Sequence, residues 1–168
     1  MSYLGILKQT DIFSELSGAQ LELIASICEE RSFGVGDEIF EENSGSDELY
    51  VVASGEVDIV VNPALVSDHP DDVGRPSTIA TMRRGQSFGE VALVDQGLRS
   101  ATARSASHNT RLLVIPRQHL MMLCESDPVL GYHLMKNLAA DLAIKLRNTD
   151  LTVREQLLYS QGGRPRPA

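Results

Sequence analysis

The feature that most restricts the fold of this chain is a series of short β-prone segments, separated by glycines, that runs from Glu30 to Ile115. The clearest is the stretch LYVVASGEVDIVV, Leu49–Val61, in which two apolar runs meet at Ser54-Gly55. Runs of β-branched and aromatic residues bounded by glycine are typical of strands, and a short junction between two such runs is typical of a tight turn. The pattern therefore predicts about eight short strands, with a tight hairpin at Ser54-Gly55.

Helical patterns stand on both sides of this β region. Ser17 and Gln20 have the spacing of a capping box, which predicts a helix from Ser17 to Cys28. Pro116 suits the first turn of another helix, and Asp127-Pro128 begins a long one that reaches Leu158. Short strands between helices predict a mainly β fold with flanking helices: a double-stranded β-helix (jelly-roll) barrel with N-terminal helices and a long C-terminal helix.

Length and charge limit the classes of function. The 168 residues fit one domain, residues 1–160, and the composition of residues 161–168 predicts a disordered tail. A net charge of −8 argues against broad nucleic-acid binding, which needs a basic face. Neither a membrane-spanning apolar run nor a secretory signal pattern is evident, so we expect no membrane association and a cytoplasmic location.

Leucines repeat every four residues along the predicted C-terminal helix, which gives it an apolar stripe. The stripe has two interpretations. It packs onto the chain's own barrel, or it forms the seam of a homodimer. The stripe consists of Leu134, Leu138, Leu142 and Leu146, extended by Val153 and Leu157.

The cysteines and histidines show no pattern of catalysis or metal binding. Cys28 and Cys124 lie far apart in apolar helical contexts, which favours two buried thiols over a disulfide or a metal site. The four histidines lack the clustered spacing that metal ligands require, and no catalytic triad order or Walker-type loop is present. We expect neither an enzyme nor a bound cofactor or metal.

The segment FGEVALVDQGLRSATARS, Phe88–Ser105, carries the strongest chemical signal. Arg99 offers a planar set of donors suited to a phosphate, and a helix that begins near Glu90 presents unpaired backbone N–H groups to an anion. The Glu90 carboxylate can accept hydrogen bonds from the hydroxyls of a sugar. These residues suit a sugar phosphate, but an internal ion pair between Glu90 and Arg99 is an equally simple interpretation of the same spacing.

The wider pattern resembles the cyclic-nucleotide-binding domain family, which includes the catabolite activator protein and the regulatory subunits of cyclic-AMP-dependent protein kinase. Phe88–Leu93 and Arg99–Thr102 are similar to the family's phosphate-binding cassette, FGE-x-A-L followed by R-[S/A/T]-A-T, with the same interval from acid to arginine. Upstream, Gly36–Phe40, Gly45 and Tyr50–Val57 are similar to its early strands and glycine turns. The resemblance extends over nearly the whole chain.

The resemblance implies a role for each matching residue. Glu90 would bind the ribose 2′-hydroxyl, with the backbone near Gly89 alongside, and Arg99 would bind the cyclic phosphate. The amides of Ala92, Ser100 and Ala101 would assist Arg99, and Ile79 would line the apolar side of the base pocket. The implied ligand-binding residues are Ile79, Gly89, Glu90, Val91, Ala92, Arg99, Ser100 and Ala101.

The implied function is that of a stand-alone cyclic-nucleotide sensor, with cyclic AMP favoured over cyclic GMP. Occupancy would be transmitted through the C-terminal helix to a second copy of the chain or to an effector protein, while the loop at 62–77 would shape access to the site. Because only SQGGRPRPA follows the long helix, a DNA-binding output is not expected in this chain. Two alternatives stay open: a degenerate domain that serves as an interaction or dimerisation module, and a metal-dependent jelly-roll enzyme.

Overall fold

Eight strands form two antiparallel sheets of four in the computed structural model, which describes residues 3–62, 75–95 and 97–161. The strands are β1 (Glu29–Phe33), β2 (Glu38–Phe40), β3 (Glu48–Ser54), β4 (Val57–Val61), β5 (Ser77–Met82), β6 (Ser87–Phe88), β7 (Thr102–Ser105) and β8 (Thr110–Pro116). The first sheet has the order β1-β8-β3-β6, and the second has the order β2-β7-β4-β5. The predicted jelly-roll with flanking helices is confirmed.

Helices precede and follow this β region in the chain, and one short helix lies between β6 and β7. They are α1 (Leu4–Leu7), a 3₁₀ helix (Asp11–Phe13), α2 (Gly18–Ile27), α3 (Val91–Val94), α4 (Arg117–Ser126) and α5 (Pro128–Gln161). The predicted capping box is present, because the Gln20 backbone N–H donates to Ser17 Oγ and the Ser17 backbone N–H donates to Gln20 Oε1. Pro116 lies one residue before its helix, and α5 continues three residues beyond the predicted Leu158.

The two central strands of the first sheet, β3 and β8, are buried on both of their faces. Leu49 and Val51 of β3 pack against the helices, whereas Tyr50 and Val52 of the same strand pack against the second sheet. Since successive strand residues face opposite sides, a strand covered on both sides needs apolar residues at every position. This is why LYVVA forms an unbroken apolar run.

The predicted hairpin at Ser54-Gly55 is wrong. The strand β3 pairs with β8 and β6, whereas β4 pairs with β5 and β7, so the turn carries the chain from one sheet to the other. A local turn pattern shows where the chain bends, but partners distant in sequence decide which strands hydrogen-bond. Residues 63–74 of the predicted loop at 62–77 lie outside the described residues.

The long helix α5 has two halves with different surroundings. Leu134 and Leu138 are buried in the core, and the Asn137 amide donates to two carbonyl oxygens at the 3₁₀ helix. Farther along, Leu146 and Leu157 are exposed. Barrel packing therefore accounts for the first half of the leucine stripe and not for the second. None of the helices in the described ranges is long and apolar enough to cross a membrane.

Both cysteines are free thiols, and both are half-buried rather than fully buried. Burial raises the pKa of Cys28 to about 12, because the thiolate would lose its hydration. The Cys28 thiol donates to the carbonyl oxygen of Ile24 at 3.2 Å. The expectation of unpaired thiols is confirmed.

Substituting alanine for Gly55 should destabilise the barrel more than the same substitution at Gly36. Both glycines have positive φ, +82° at Gly55 and +86° at Gly36, where a side chain costs about 1–2 kcal/mol. A Cβ on Gly55 would also lie 2.8 Å from Thr110 Cα, whereas a Cβ on Gly36 would meet nothing within 4 Å. Urea unfolding of both variants measures the difference, and equal losses would contradict the packing argument.

Candidate functional site

The backbone of Arg99 is held by the turn that follows β2. Its N–H donates to the carbonyl oxygen of Ser44 at 3.0 Å, and its own carbonyl oxygen accepts from the N–H of Asn43 at 2.8 Å. Asn43 has a φ of +65°, a conformation that asparagine tolerates better than most residues. This pairing joins two segments more than fifty residues apart, and it sets the direction in which the Arg99 side chain enters the barrel.

The guanidinium of Arg99 is buried among neutral oxygens and an aromatic ring. Nη1 donates to the Gly89 carbonyl oxygen at 3.0 Å, while Nη2 donates to Ser46 Oγ and to the Glu48 carbonyl oxygen, each at 2.7 Å. The guanidinium carbon lies 4.2 Å from the centre of the Phe40 ring, within the range of a cation–π contact. The residue is only 4% exposed.

The charge of Arg99 is incompletely matched by these neighbours. Burial lowers the pKa of Arg99, although Tyr50, Glu48, Asp47 and Glu90 oppose this shift at longer range. Its Nε is buried and has no hydrogen-bond partner among the described residues. A buried cation held by neutral oxygens gains most from an anion placed beside it, so the arrangement favours an anionic ligand.

Glu90 does not pair with Arg99. The carboxylate is 5% exposed and lies just before α3, where its Oε1 accepts a hydrogen bond from Lys145 Nζ at 2.6 Å. Of the two interpretations of this spacing, the internal ion pair between Glu90 and Arg99 is therefore the one that the structure contradicts. The reason is geometric: the guanidinium is drawn toward β3 and Phe40, whereas the carboxylate faces α5.

Lys145 lies between two acids. Its Nζ is 2.6 Å from Glu90 Oε1 and 2.8 Å from Asp141 Oδ2, one helical turn earlier on α5. Burial favours a lower pKa for Lys145, but the two carboxylates outweigh burial and the pKa is raised. The ammonium is therefore firmly charged at neutral pH.

A cavity of about 800 Å³ opens between the second sheet, the segment Phe88–Ala101 and α5. This volume lies in the range of small-molecule sites. All eight residues predicted from the sequence line it, with Ile79 on the outer wall and Arg99 on the inner wall. Apolar side chains from the barrel complete it: Phe40, Ile59, Met82 and Phe88.

Backbone groups in the cavity wall can approach a ligand closely. The N–H groups of Ser100 and Ala101 donate to no described residue, and both side chains are small. Gly89 has a φ of +80°, and a Cβ there would lie 2.8 Å from Arg99 Nη1. Glycine at this position thus lets the guanidinium sit against the backbone.

The structure adds site residues that sequence reasoning missed. Phe40 and Ser46 support Arg99 from more than fifty positions away, and no local pattern marks them. From the long helix, Lys145 and Asn148 line the cavity. The other residues of α5 that line the cavity are Asp141, Ile144, Thr149 and Thr152.

The sequence of this chain is similar to a family model and to several known proteins. A family model of the cyclic nucleotide-binding domain matches residues 30–127, more than half of the chain. The cyclic AMP receptor protein of Thermus thermophilus is 34% identical over 145 residues, 86% of this chain and 61% of that protein. The cAMP-dependent protein kinase regulatory subunit of Aspergillus fumigatus is 31% identical over 108 residues, 63% of this chain and 26% of that subunit.

A solved structure is also similar to the structure of this chain. The crystal structure of the Thermus thermophilus catabolite activator protein matches with a TM-score of 0.72 at 31% identity, over 88% of this chain and 63% of that one. The two sheets and their cavity define a jelly-roll domain with a site of ligand size. The chain belongs to the cyclic nucleotide-binding domain family. It spans less than two thirds of the length of the Thermus receptor.

The side chain of Tyr50, which lies beside Arg99, should make the free energy of unfolding fall in alkaline solution. Burial, together with the Glu48 carboxylate that accepts from the Tyr50 hydroxyl at 2.6 Å, raises the pKa of Tyr50 to about 12. In the unfolded chain a tyrosine titrates near pH 10, so the stabilisation is complete below about pH 10 and is lost as the pH rises toward 12. Unfolding free energies of wild type and Tyr50→Phe should therefore converge with rising pH. Parallel pH profiles would contradict this assignment.

Proposed function

We propose that this domain binds a cyclic nucleotide monophosphate in the cavity between the barrel and α5. The observation that carries the proposal is the buried guanidinium of Arg99, which forms no ion pair with a described carboxylate and whose Nε lacks a partner among the described residues. A cyclic phosphate supplies the missing anion, and the N–H groups of Ala92, Ser100 and Ala101 supply further donors around it.

The remaining residues suit the other two parts of the nucleotide. The Glu90 carboxylate accepts a hydrogen bond from the ribose 2′-hydroxyl, with the backbone of Gly89 and Val91 alongside. Ile79, together with Ile59, presents an apolar wall to the base. These assignments follow the order of the family's binding segment, and the shared cavity supports them because it brings all three kinds of contact within the span of one small molecule.

We favour cyclic AMP over cyclic GMP as the ligand, with no further cofactor. Two of the similar proteins are named for cyclic AMP: the Thermus receptor and the fungal kinase subunit. Ser100, which follows the arginine, suits either base, because its hydroxyl can hydrogen-bond a guanine without excluding an adenine.

The domain then acts as a sensor rather than an enzyme, located in the cytoplasm, and α5 transmits its occupancy. The distal half of α5 carries exposed apolar residues such as Leu146, Leu157 and Leu158. A second copy of this helix would cover them in a homodimer, and an effector protein would respond to the change. The net charge of −8 disfavours a nucleic acid as partner of this domain.

Calorimetry with cyclic AMP and cyclic GMP tests the function on wild type and on Arg99→Ala. We expect the wild type to bind and the variant to lose about 2–5 kcal/mol of binding free energy, because the phosphate loses its buried partner. Arg104→Ala is the matched control, since Arg104 lies on β7 in an exposed ion pair with Glu38, away from the cavity. A wild type that binds neither nucleotide, or equal effects of the two variants, would refute the proposal.

Ser100→Ala tests the choice of base. The variant should keep its affinity for cyclic AMP and lose part of its affinity for cyclic GMP, because only guanine gains a hydrogen bond from the hydroxyl. Net losses of one hydrogen bond are about 0.5–1.5 kcal/mol, which calorimetry on the two ligands can resolve. A larger loss for cyclic AMP than for cyclic GMP would exclude this role.

A further inference from the structure

The Glu90 carboxylate depends on the long helix for its charge balance. It is 5% exposed, and the hydrogen bond from Lys145 to Oε1 is the one it accepts from a described side chain. A carboxylate buried to this degree is costly unless a cation or several donors compensate it. The compensating ammonium comes from α5, 55 residues later in the sequence.

Lys145 is also the point at which the distal half of α5 is tied to the barrel. The helix is anchored by buried leucines only as far as Leu138. Of residues 141–155, Lys145 is the one with a hydrogen bond or ion pair to a described residue of the barrel. Asp141 contacts the same ammonium from within the helix and holds it over the cavity.

We propose that Lys145 is a positioning residue for ribose recognition: it holds Glu90 Oε1 and leaves Oε2 free for the 2′-hydroxyl of the ligand. The inference rests on the proposed function and adds a residue to it. Oε2 accepts no hydrogen bond from the described residues, and both Glu90 and Lys145 line the cavity. Nucleotide affinity then depends on the position of α5 relative to Glu90. By thermodynamic linkage, the bound nucleotide in turn stabilises that position of α5.

Charge decides against the opposite arrangement, in which the ribose displaces Lys145 from Glu90. With a cyclic phosphate present, the cavity holds three anionic groups, which are the phosphate, Glu90 and Asp141. Among the described residues that line it, Arg99 and Lys145 are the two cations. Moving Lys145 into solvent would leave three anions with one cation in a partly desolvated site, and a neutral hydroxyl cannot replace a full charge.

The test is a comparison of cyclic AMP with 2′-deoxy cyclic AMP on wild type and Lys145→Met. The variant should bind cyclic AMP roughly tenfold to a hundredfold more weakly, the range for a hydrogen bond to a charged group. It should weaken binding of the deoxy analogue clearly less, because loss of the ammonium affects the phosphate of both ligands, whereas only cyclic AMP also has the hydroxyl that a positioned Glu90 recognises. Lys145→Arg should restore most of the difference between the two ligands.

Lys136→Met is the matched control. Lys136 lies on the same helix and pairs with Glu15 at 2.9 Å, and it does not line the cavity. This variant should leave both affinities unchanged. Melting temperatures of all variants without ligand check folding, and Lys145→Gln replaces the methionine variant if that one fails to fold.

The outcomes separate the two proposals. If the wild type binds neither ligand, the proposed function is refuted and this inference with it. If the wild type binds cyclic AMP but Lys145→Met weakens both ligands equally, the function stands and Lys145 has no part in ribose recognition. Tighter binding of cyclic AMP by Lys145→Met would show competition for Glu90 and would also overturn the inference.

Discussion

The burial of one guanidinium is the constraint around which the site is built. A cation that is 4% exposed must find hydrogen-bond acceptors inside the barrel, and Arg99 finds them on segments that are far apart in sequence. The carbonyl oxygens of Gly89 and Glu48 and the ring of Phe40 occupy three sides of it. These neighbours orient the side chain without neutralising it, so that a buried positive charge faces a cavity of nucleotide size.

The two halves of the long helix α5 have different surroundings. Its first half belongs to the core, because Leu130, Leu134 and Leu138 are as buried as any residue of the sheets. Its second half is mostly exposed, and the ion pair between Lys145 and Glu90 connects it to the segment that precedes α3. In the function proposed above, this shared carboxylate would couple nucleotide binding to the position of the exposed half of α5.

Much of this architecture could be predicted from residues alone. The capping box at Ser17, the glycine-bounded strands and the cassette residues around Glu90 and Arg99 all depend on local patterns, and all of those residues that were assigned to one site line one cavity. The predicted hairpin at Ser54-Gly55 failed, because pairing between strands is decided by distant partners. The alternative interpretation, an ion pair between Glu90 and Arg99, is excluded for a similar reason, since each side chain has partners that are distant in sequence.

Local sequence patterns are sufficient to predict the class of fold and the two charged residues, Glu90 and Arg99, that line the cavity. Periodicity, capping and glycine placement each involve only a few neighbouring residues, so they can be recognised in the sequence. The groups that surround those two side chains become evident from the three-dimensional fold: Phe40 and Ser46 beneath Arg99, and Lys145 beside Glu90. The energy of a buried charge depends on all its neighbours in space, and these three lie more than fifty residues away from the charge along the chain.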